Sequence, residues 1–127
     1  MISAKECQVI TADAEEKKRL HIEERKAEIR AKTLDFCNTT ISERLNQASE
    51  KGEHSLVLNF RATNMYDSYQ LIYKNGSYWH TESYIWLDIP TIQEMAEMHG
   101  YKVDTGFRSY PKNSKSTEVG KYLTISW

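Results

Sequence analysis

The sequence lacks most of the features that mark secreted, membrane-spanning or strongly charged proteins. It has 127 residues, with two cysteines and two prolines, and its longest uncharged apolar runs are only a few residues long. Such runs fall far short of the ~20 residues that a membrane-spanning helix needs. The N-terminus has no positively charged segment leading into an apolar one, so no secretory signal is expected. The net charge of −1 predicts no strong binding to nucleic acid.

The cysteines and histidines are too scattered to form a recognisable metal site. Zinc sites use closely spaced ligand pairs, and the four histidines form none with each other or with the cysteines. Cys7 and Cys37 lie on one predicted helix, about 45 Å apart, which is too far for a disulfide within the chain. No phosphate-binding loop, dinucleotide fingerprint or nucleophile motif is present. The sequence therefore predicts no metal, no cofactor and no catalytic residue, and it suits a reducing cytoplasm.

Glycine and proline are absent from the chain before Gly52, and this first half is rich in helix-forming residues. Ser3 followed by Glu6 is a capping-box pattern, which predicts a long charged helix within residues 1–51. A first row advances along it in alternating steps of four and three residues from position 20 to position 48, and Glu24 and Asn38 interrupt it. Its apolar members are Leu20, Ala27, Ala31, Leu34, Ile41, Leu45 and Ala48. A second row is displaced from it by about 200° and consists of Ile22, Ile29 and Phe36.

Two apolar rows on nearly opposite sides of one helix must be covered by two different surfaces. In one interpretation, the chain's own sheet covers one row and a second copy of the chain covers the other, which predicts a homo-oligomer formed through the N-terminal helix. In the alternative, the helix breaks near residues 39–40 and its two halves pack differently. The pattern leaves both interpretations open.

After Gly52 the pattern changes to the two-residue period of β-strands. It predicts strands over residues 55–60, 101–105 and 121–127, with one further strand over 84–89. Pro90 and Gly100 mark the start and the end of a short helix over 90–99. The polar stretch 106–120 is expected to be a loop.

Asn75 and Gly76 stand between two β-prone runs, which predicts a hairpin over residues 68–81 with a type I′ turn. A helix over residues 66–74 is the alternative. Taken together, these elements predict a single α+β domain spanning residues 1–127. Its long N-terminal helix packs on an antiparallel sheet, with a second short helix and a protruding β-hairpin.

Of the three Phe, three Trp and eight Tyr, all except Phe36 lie in the second half of the chain. Rings emerge on both faces of the predicted hairpin, and basic residues accompany them. Aromatic rings can stack on nucleobases, and Arg or Lys can bind phosphates. In the structural alternative, the rings pack on each other across strands and the basic residues keep the surface soluble. The candidate residues for binding a ligand or a partner are Arg61, Tyr69, Tyr73, Lys74, Tyr78, Trp79, His80, Tyr84, Trp86, Arg108, Tyr110 and Lys112.

Four short motifs resemble those of a known group of proteins. They are Ser3 to Glu6, Lys51 to Glu53, His99 to Val103 and Leu123 to Trp127. The group consists of small, mostly uncharacterised bacteriophage accessory proteins, which commonly have an Ala-Lys-Glu start and end in Thr-Ile-Ser-Trp. Relative to its shorter members, the region from Arg61 to Asp88 looks like an insertion. The resemblance implies phage origin and an α+β fold, and it carries no active site.

Small phage proteins of this size often act on host machinery, so the resemblance implies a role against antiviral defence in the cytoplasm of the infected host. The leading hypothesis is a non-enzymatic protein that binds and sequesters a small nucleotide-type signal at a subunit interface. A first alternative is a protein–protein inhibitor that blocks a host defence enzyme, such as a CRISPR nuclease, through the aromatic hairpin. A second alternative is a nucleotide-degrading enzyme.

Overall fold

The computed structural model describes residues 1–127, and they form an α+β architecture. The chain begins with one uninterrupted helical segment, in which a π-helical turn (Cys37–Ile41) joins α1 (Ala4–Phe36) to α2 (Ser42–Glu50). The remaining elements are β1 (Ser55–Ala62), β2 (Tyr69–Asn75), β3 (Tyr78–Thr81), α3 (Ile89–Met98), β4 (Lys102–Pro111) and β5 (Thr117–Ser126). The strands form one antiparallel sheet in the order β3-β2-β1-β5-β4. The predicted fold class is confirmed.

Both predicted helix starts are confirmed by side-chain caps. The backbone N–H of Glu6 donates to Ser3 Oγ at 3.1 Å at the start of α1. At the start of α3, the backbone N–H of Thr91 donates to the Asp88 carboxylate at 3.2 Å. Each cap gives a partner to a backbone donor that the first turn of a helix leaves free.

The π-helical turn explains why the long helix carries two apolar rows. Before the turn, the helix buries the second row through Ile29 and Phe36. After the turn, it buries the first row through Ile41 and Ala48. A π-helical turn holds one residue more than an α-helical turn, so it rotates the buried face by about 100°, which brings Ile41 and Ala48 of the first row to the core. The two halves therefore pack differently, as one interpretation predicted, but the helix does not break.

The helices cover one face of the sheet, and the main core lies between them. On this helix-covered face, Leu58 and Phe60 of β1 pair with Leu123 of β5 and Leu71 of β2, respectively. The other elements contribute Phe36, Cys37, Ile41, Leu87, Ile89, Ile92 and Ala96. The opposite face, which carries Arg61 and which we call the open face, has no helix over it.

The sheet curls toward its open face until its two edge strands meet. β3 and β4 stand at opposite ends of the strand order, yet the rings of Trp79 and Tyr110 pack edge to face with centroids 4.8 Å apart. Gly120 permits this approach, because a Cβ there would lie 2.0 Å from the backbone oxygen of Phe60 and 2.8 Å from the Tyr110 ring. Tyr110 is only 1% exposed and centres a second, smaller core.

The predicted hairpin is present, but its turn lies one residue later than the sequence indicated. Asn75 pairs with Tyr78, so the central turn positions are Gly76 and Ser77. Gly76 has a φ of +66°, whereas neither Asn75 nor Ser77 has a positive φ. Because only the first central residue is left-handed, the turn has the pattern of type II′ and the predicted type I′ turn is wrong. Beyond Ile72, β2 pairs only with β3, so the tip of the hairpin extends past β1.

Two other predictions are wrong. Residues 84–89 do not form a strand: residues 84–88 form a connecting segment that pairs with the sheet only through an isolated bridge between Leu87 and Tyr69, and Ile89 begins α3. The predicted polar loop over 106–120 is mostly strand, with only residues 112–116 left between β4 and β5. The polar composition did not indicate a strand because β4 is an edge strand, in which most side chains face solvent and need not be apolar.

Candidate functional site

The structure divides the candidate residues among three places. Five lie on the open face or beside it: Arg61, Trp79, Arg108, Tyr110 and Lys112, with Lys74 exposed near them. Three lie at the outer part of the hairpin, on the helix-covered side: Tyr73, Tyr78 and His80. The remaining three, Tyr69, Tyr84 and Trp86, lie close to α1.

The residues of the open face satisfy one another's polar groups. The hydroxyl of Tyr110 donates to Asn59 Oδ1 at 2.8 Å, and burial raises the pKa of this tyrosine. Arg61 donates to Thr81 Oγ1 at 2.9 Å and to the Glu118 carboxylate at 3.0 Å. Lys112 contacts the same carboxylate at 3.2 Å. These contacts join strands across the curled sheet, so this group is mainly structural.

Two basic side chains near this group remain more available. The guanidinium of Arg108 lies over the ring of Tyr122, 4.6 Å from its centroid, and is exposed. Lys74 is exposed and has no carboxylate oxygen within 4.0 Å. Neither side chain lines either of the two cavities described below.

The outer hairpin presents a small aromatic surface. Tyr73 and His80 are directly paired across the two strands, with ring centroids 5.7 Å apart. Tyr78 follows at the tip, and all three side chains are exposed. Trp79 does not belong to this surface, because its ring turns to the opposite face and packs on Tyr110.

The third place is a cleft between α1 and two connecting segments, residues 63–68 and 82–88. The rings of Tyr66 and Trp86, one from each segment, contact each other with centroids 6.0 Å apart. The Arg44 guanidinium of α2 binds the Glu82 carboxylate and so holds the second segment against the helix. Cavities open on both sides of the core-facing row of α1, one lined by Tyr66 and the other by Trp86.

Segment 63–68 holds an unusual backbone conformation beside this cleft. Tyr66 and Asp67 both have left-handed φ values, +56° and +51°, which non-glycine residues rarely adopt. The hydroxyls of Thr63 and Ser68 brace the segment, each bonding the Met65 carbonyl, at 3.0 and 2.8 Å. Such local strain is concentrated at functional sites in proteins, and here it places Tyr66 on the cleft.

The first cavity, which we call the basic cavity, has a volume of about 410 Å³. Its lining is Lys26, Ile29, Arg30, Tyr66, Asp67, Tyr69, Asp88, Pro90 and Lys121. Lys121 is notable because it points to the helix-covered face of the sheet, where its neighbours along β5 are Leu123 and Ile125. Its ammonium lies 5.3 Å from the ring centroids of both Tyr69 and Phe107.

The charges of the basic cavity are only partly compensated. Lys26 lies 4.0 Å from the Asp67 carboxylate, whereas Arg30 and Lys121 have no carboxylate oxygen within that distance. The Asp88 carboxylate already accepts hydrogen bonds from the backbone and the hydroxyl of Thr91. The cavity therefore combines two unpaired cations with two tyrosine rings.

The second cavity has a volume of about 730 Å³, and we call it the neutral groove. Its walls include Tyr84, Ile85 and Trp86 on one side and Ile29 and Phe36 of α1 on the other. The charged residues along it are Arg25, Lys32, Glu28 and Asp35, so positive and negative charges are equal in number. Arg25 and Glu28 also pair with each other at 3.2 Å. Its electrostatics thus favour neither anions nor cations.

Of the sequence-predicted candidates, only Tyr69 lines the basic cavity, and sequence reasoning missed Lys26, Arg30, Tyr66 and Lys121 as site residues. These four come from α1, a connecting segment and β5, which only the folded chain brings together. One signal was available: Lys121 has the same strand parity as Leu123 and Ile125, so it is a charged residue on an otherwise apolar strand face.

Comparisons with known proteins found no match to a family model, to a curated protein or to a solved structure. No helix has both the length and the apolar character needed to span a bilayer. No three or more His, Cys, Asp and Glu side chains are grouped so that they could hold a metal ion.

Proposed function

We propose that this protein is a non-enzymatic binding protein that sequesters a small nucleotide-type ligand in the basic cavity. The observation that carries the proposal is the pair of unpaired cations, Arg30 and Lys121, that line one cavity together with Tyr66 and Tyr69. In agreement with the resemblance to phage accessory proteins, we propose that the ligand is a signal of host antiviral defence.

The cations supply the phosphate-binding part of this proposal. Arg30 offers a planar fork of N–H donors that matches phosphate oxygens, and Lys121 offers a compact charge. The Lys121 ammonium contacts aromatic rings, which provide no full negative charge. A phosphate could therefore bind this ammonium without first displacing a carboxylate. Lys26 adds a third cation that Asp67 holds only at 4.0 Å.

Aromatic rings supply the base-binding part. Tyr66 and Tyr69 line the cavity, and the Phe107 ring beside Lys121 is 73% exposed. Exposed rings next to cations provide stacking surfaces for flat bases. The volume also fits, since small-molecule sites usually measure about 300 to 1,000 Å³ and this cavity measures about 410 Å³.

The test is a thermal-unfolding screen with cyclic nucleotides and ADP-ribose derivatives, followed by calorimetry on any ligand that raises the melting temperature. Bound ligand is then released by denaturation and identified by mass spectrometry. Sequestration predicts intact ligand after prolonged incubation, whereas an altered ligand supports the alternative of a nucleotide-degrading enzyme. No stabilisation by any member of the panel contradicts the proposal.

Two variants locate the site. Lys121→Met keeps most of the aliphatic packing and removes the charge, and Arg30→Gln removes the other unpaired charge. Each is expected to weaken binding strongly, while Lys115→Met, in the exposed loop between β4 and β5, is the matched control and should bind as the parent does. Equal binding by all three variants would place the ligand elsewhere.

A second candidate function is favoured by the exposed rings at the hairpin tip. We propose, as this alternative, that Tyr73 and Tyr78 bind a host defence enzyme. They are 44% and 38% exposed, and aromatic residues are enriched in protein interfaces. The double variant Tyr73→Ser/Tyr78→Ser should then lose a host protein that co-purifies with the parent, while Lys121→Met retains it. Trp79 is unsuitable for this test because it packs in the fold.

A further inference from the structure

The N-terminal part of α1 extends away from the rest of the protein. Every residue from Ala4 to Arg25 is exposed, and Lys26 is the first whose side chain is partly covered. This projecting arm is about 33 Å long at the α-helical rise. It carries exposed apolar side chains, including Val9, Ile10 and Ile22. The arm lacks the packing of an apolar face, which supplies most of the stability of helices in proteins.

The arm is continuous with an apolar row that the fold leaves uncovered. Before the π-helical turn, the first row consists of Leu20, Ala27, Ala31 and Leu34, which we call the outer row, and all four are exposed. At 100° per residue, the outer row lies nearly opposite Ile29 and Phe36, which face the sheet. A second helix could therefore lie along the outer row without meeting either sheet.

We propose that the occupant of the outer row is a second copy of this chain, whose α1 runs antiparallel. The two helices cross about a twofold axis between residues 25 and 26. This register places Leu20 of each copy against Ala31 of the other, and the small side chains of Ala27 and Ala31 allow close helix packing. The arm of each copy then lies along the body of the other, which covers both arms.

Charge complementarity selects this arrangement. In the antiparallel register, Glu23 of each copy, which also pairs with Arg19 of its own helix at 2.6 Å, lies beside Arg30 of the other copy, and Glu24 faces Ala27. A parallel, in-register pair would instead bring the two copies of Glu24 together within the apolar row. It would also place Glu23 beside Glu28 of the second copy, so like charges would meet at both positions. The antiparallel pair is therefore the one that the sequence of α1 favours.

This inference concerns the outer row and does not depend on a ligand, although Arg30 takes part in both proposals. In the dimer, Glu23 of the second copy would pair with Arg30, which would leave Lys121 as the cation of the basic cavity without a carboxylate partner.

The first test is the molar mass in solution by light scattering, without any nucleotide. A dimer has twice the monomer mass of 14.9 kDa. Glu23→Arg should reduce the mass to that of the monomer, and Glu23→Arg/Arg30→Glu should restore the dimer because the charges are exchanged. Glu15→Arg, on the side of the arm that faces away from the outer row, is the matched control and should remain dimeric. Circular dichroism checks that helix content is kept.

The second test measures direction with a spin label on the exposed Cys7, since Cys37 is buried. The antiparallel register separates the two Cys7 residues by about 55 Å along the helix pair. A parallel pair would bring them to about the interaxial distance, roughly 10 Å. A monomeric parent protein, a short distance, or a charge-exchanged variant that stays monomeric would each overturn the proposal. Neither test contains ligand, so a negative result in either of them does not contradict the nucleotide proposal. The thermal-unfolding screen tests that proposal separately.

Discussion

The Thr33 side chain joins the long helix to the start of α3. Its hydroxyl accepts a hydrogen bond from the backbone N–H of Asp88 at 2.9 Å and donates one to the Ile29 carbonyl at 2.7 Å. Thr33 has no exposed surface, so its hydroxyl has no contact with water. The position of α3, and with it the carboxylate of Asp88 at the basic cavity, depends on this link.

Thr33→Val should therefore lower the free energy of unfolding by about 1 to 3 kcal/mol, because it leaves the Asp88 N–H buried without an acceptor at almost unchanged side-chain volume. Urea unfolding followed by circular dichroism measures the change. Thr39→Val is the matched control, since the Thr39 hydroxyl makes a similar bond to the Asp35 carbonyl but is exposed. Equal effects of the two variants would contradict the structural role of Thr33.

Adjacent residues of β3 should respond very differently to truncation. Trp79→Ala should cost about 2 to 3 kcal/mol, since the half-buried ring holds the two edge strands together through Tyr110. Tyr78→Ala, on the exposed tip, should change the free energy of unfolding by less than about 0.5 kcal/mol. Urea unfolding of both variants tests the curled sheet directly. If Tyr78→Ala proved the more costly, the assignment of the two faces would be wrong.

The two glycines of the β4–β5 pair should differ in their tolerance of a methyl group. In Gly120→Ala the new Cβ meets the backbone oxygen of Phe60, which cannot move without disturbing β1, so little folded protein is expected. In Gly106→Ala the nearest atoms belong to the Tyr122 side chain, at 2.6 Å, and this ring can swing away. We expect Gly106→Ala to be folded and less stable than the parent. Soluble yield and melting temperature provide the comparison.

Alkaline pH should reveal the burial of Cys37. Burial raises the pKa of its thiol from an ordinary value of 9.0 to about 11. The unfolded chain therefore loses this proton at lower pH than the folded protein does, so the thiol's contribution to stability is complete below about pH 9 and declines toward about pH 11. Relative to Cys37→Ala, the parent should lose stability over this range.

Unfolding free energies at a series of pH values measure this difference. Cys7→Ala is the control, because Cys7 is exposed on the arm and its loss should leave the pH dependence unchanged. The raised pKa of Tyr110 acts in the same direction but is present in all three proteins. A constant difference between the parent and Cys37→Ala across the range would contradict the prediction.

Local signals in the sequence were sufficient where one short segment decides its own structure. Ser3 with Glu6 predicted the start of the first helix and Pro90 that of the short helix, because caps and first-turn residues act within one turn. Gly76 gave the hairpin, although its pairing register, and hence the turn type, depended on how β2 meets β3. The sequence showed that the long helix has two apolar rows. It did not show that a π-helical turn near Thr39 changes which of the two rows is buried.

The composition of a segment did not predict its structure where the exposure of its side chains depends on neighbours far along the chain. Most of the polar stretch 106–120 belongs to two strands because β4 pairs along β5, a pairing that no local pattern in this stretch revealed. Trp79 and Tyr110 were chosen as binding residues for their chemistry, yet the curl of the sheet buries Tyr110 and packs Trp79 on it.

By itself, the sequence determined the α+β class, the long N-terminal helix and the hairpin, because helix caps, turn residues and apolar periods act over a few residues. Only the tertiary structure decided which aromatic rings pack inside and which face a cavity. It also brought Arg30 and Lys121, which are far apart in the chain, to one cavity, where neither has a carboxylate oxygen within 4.0 Å. The physical reason is that burial and charge compensation depend on contacts between distant residues, and no local pattern records those contacts.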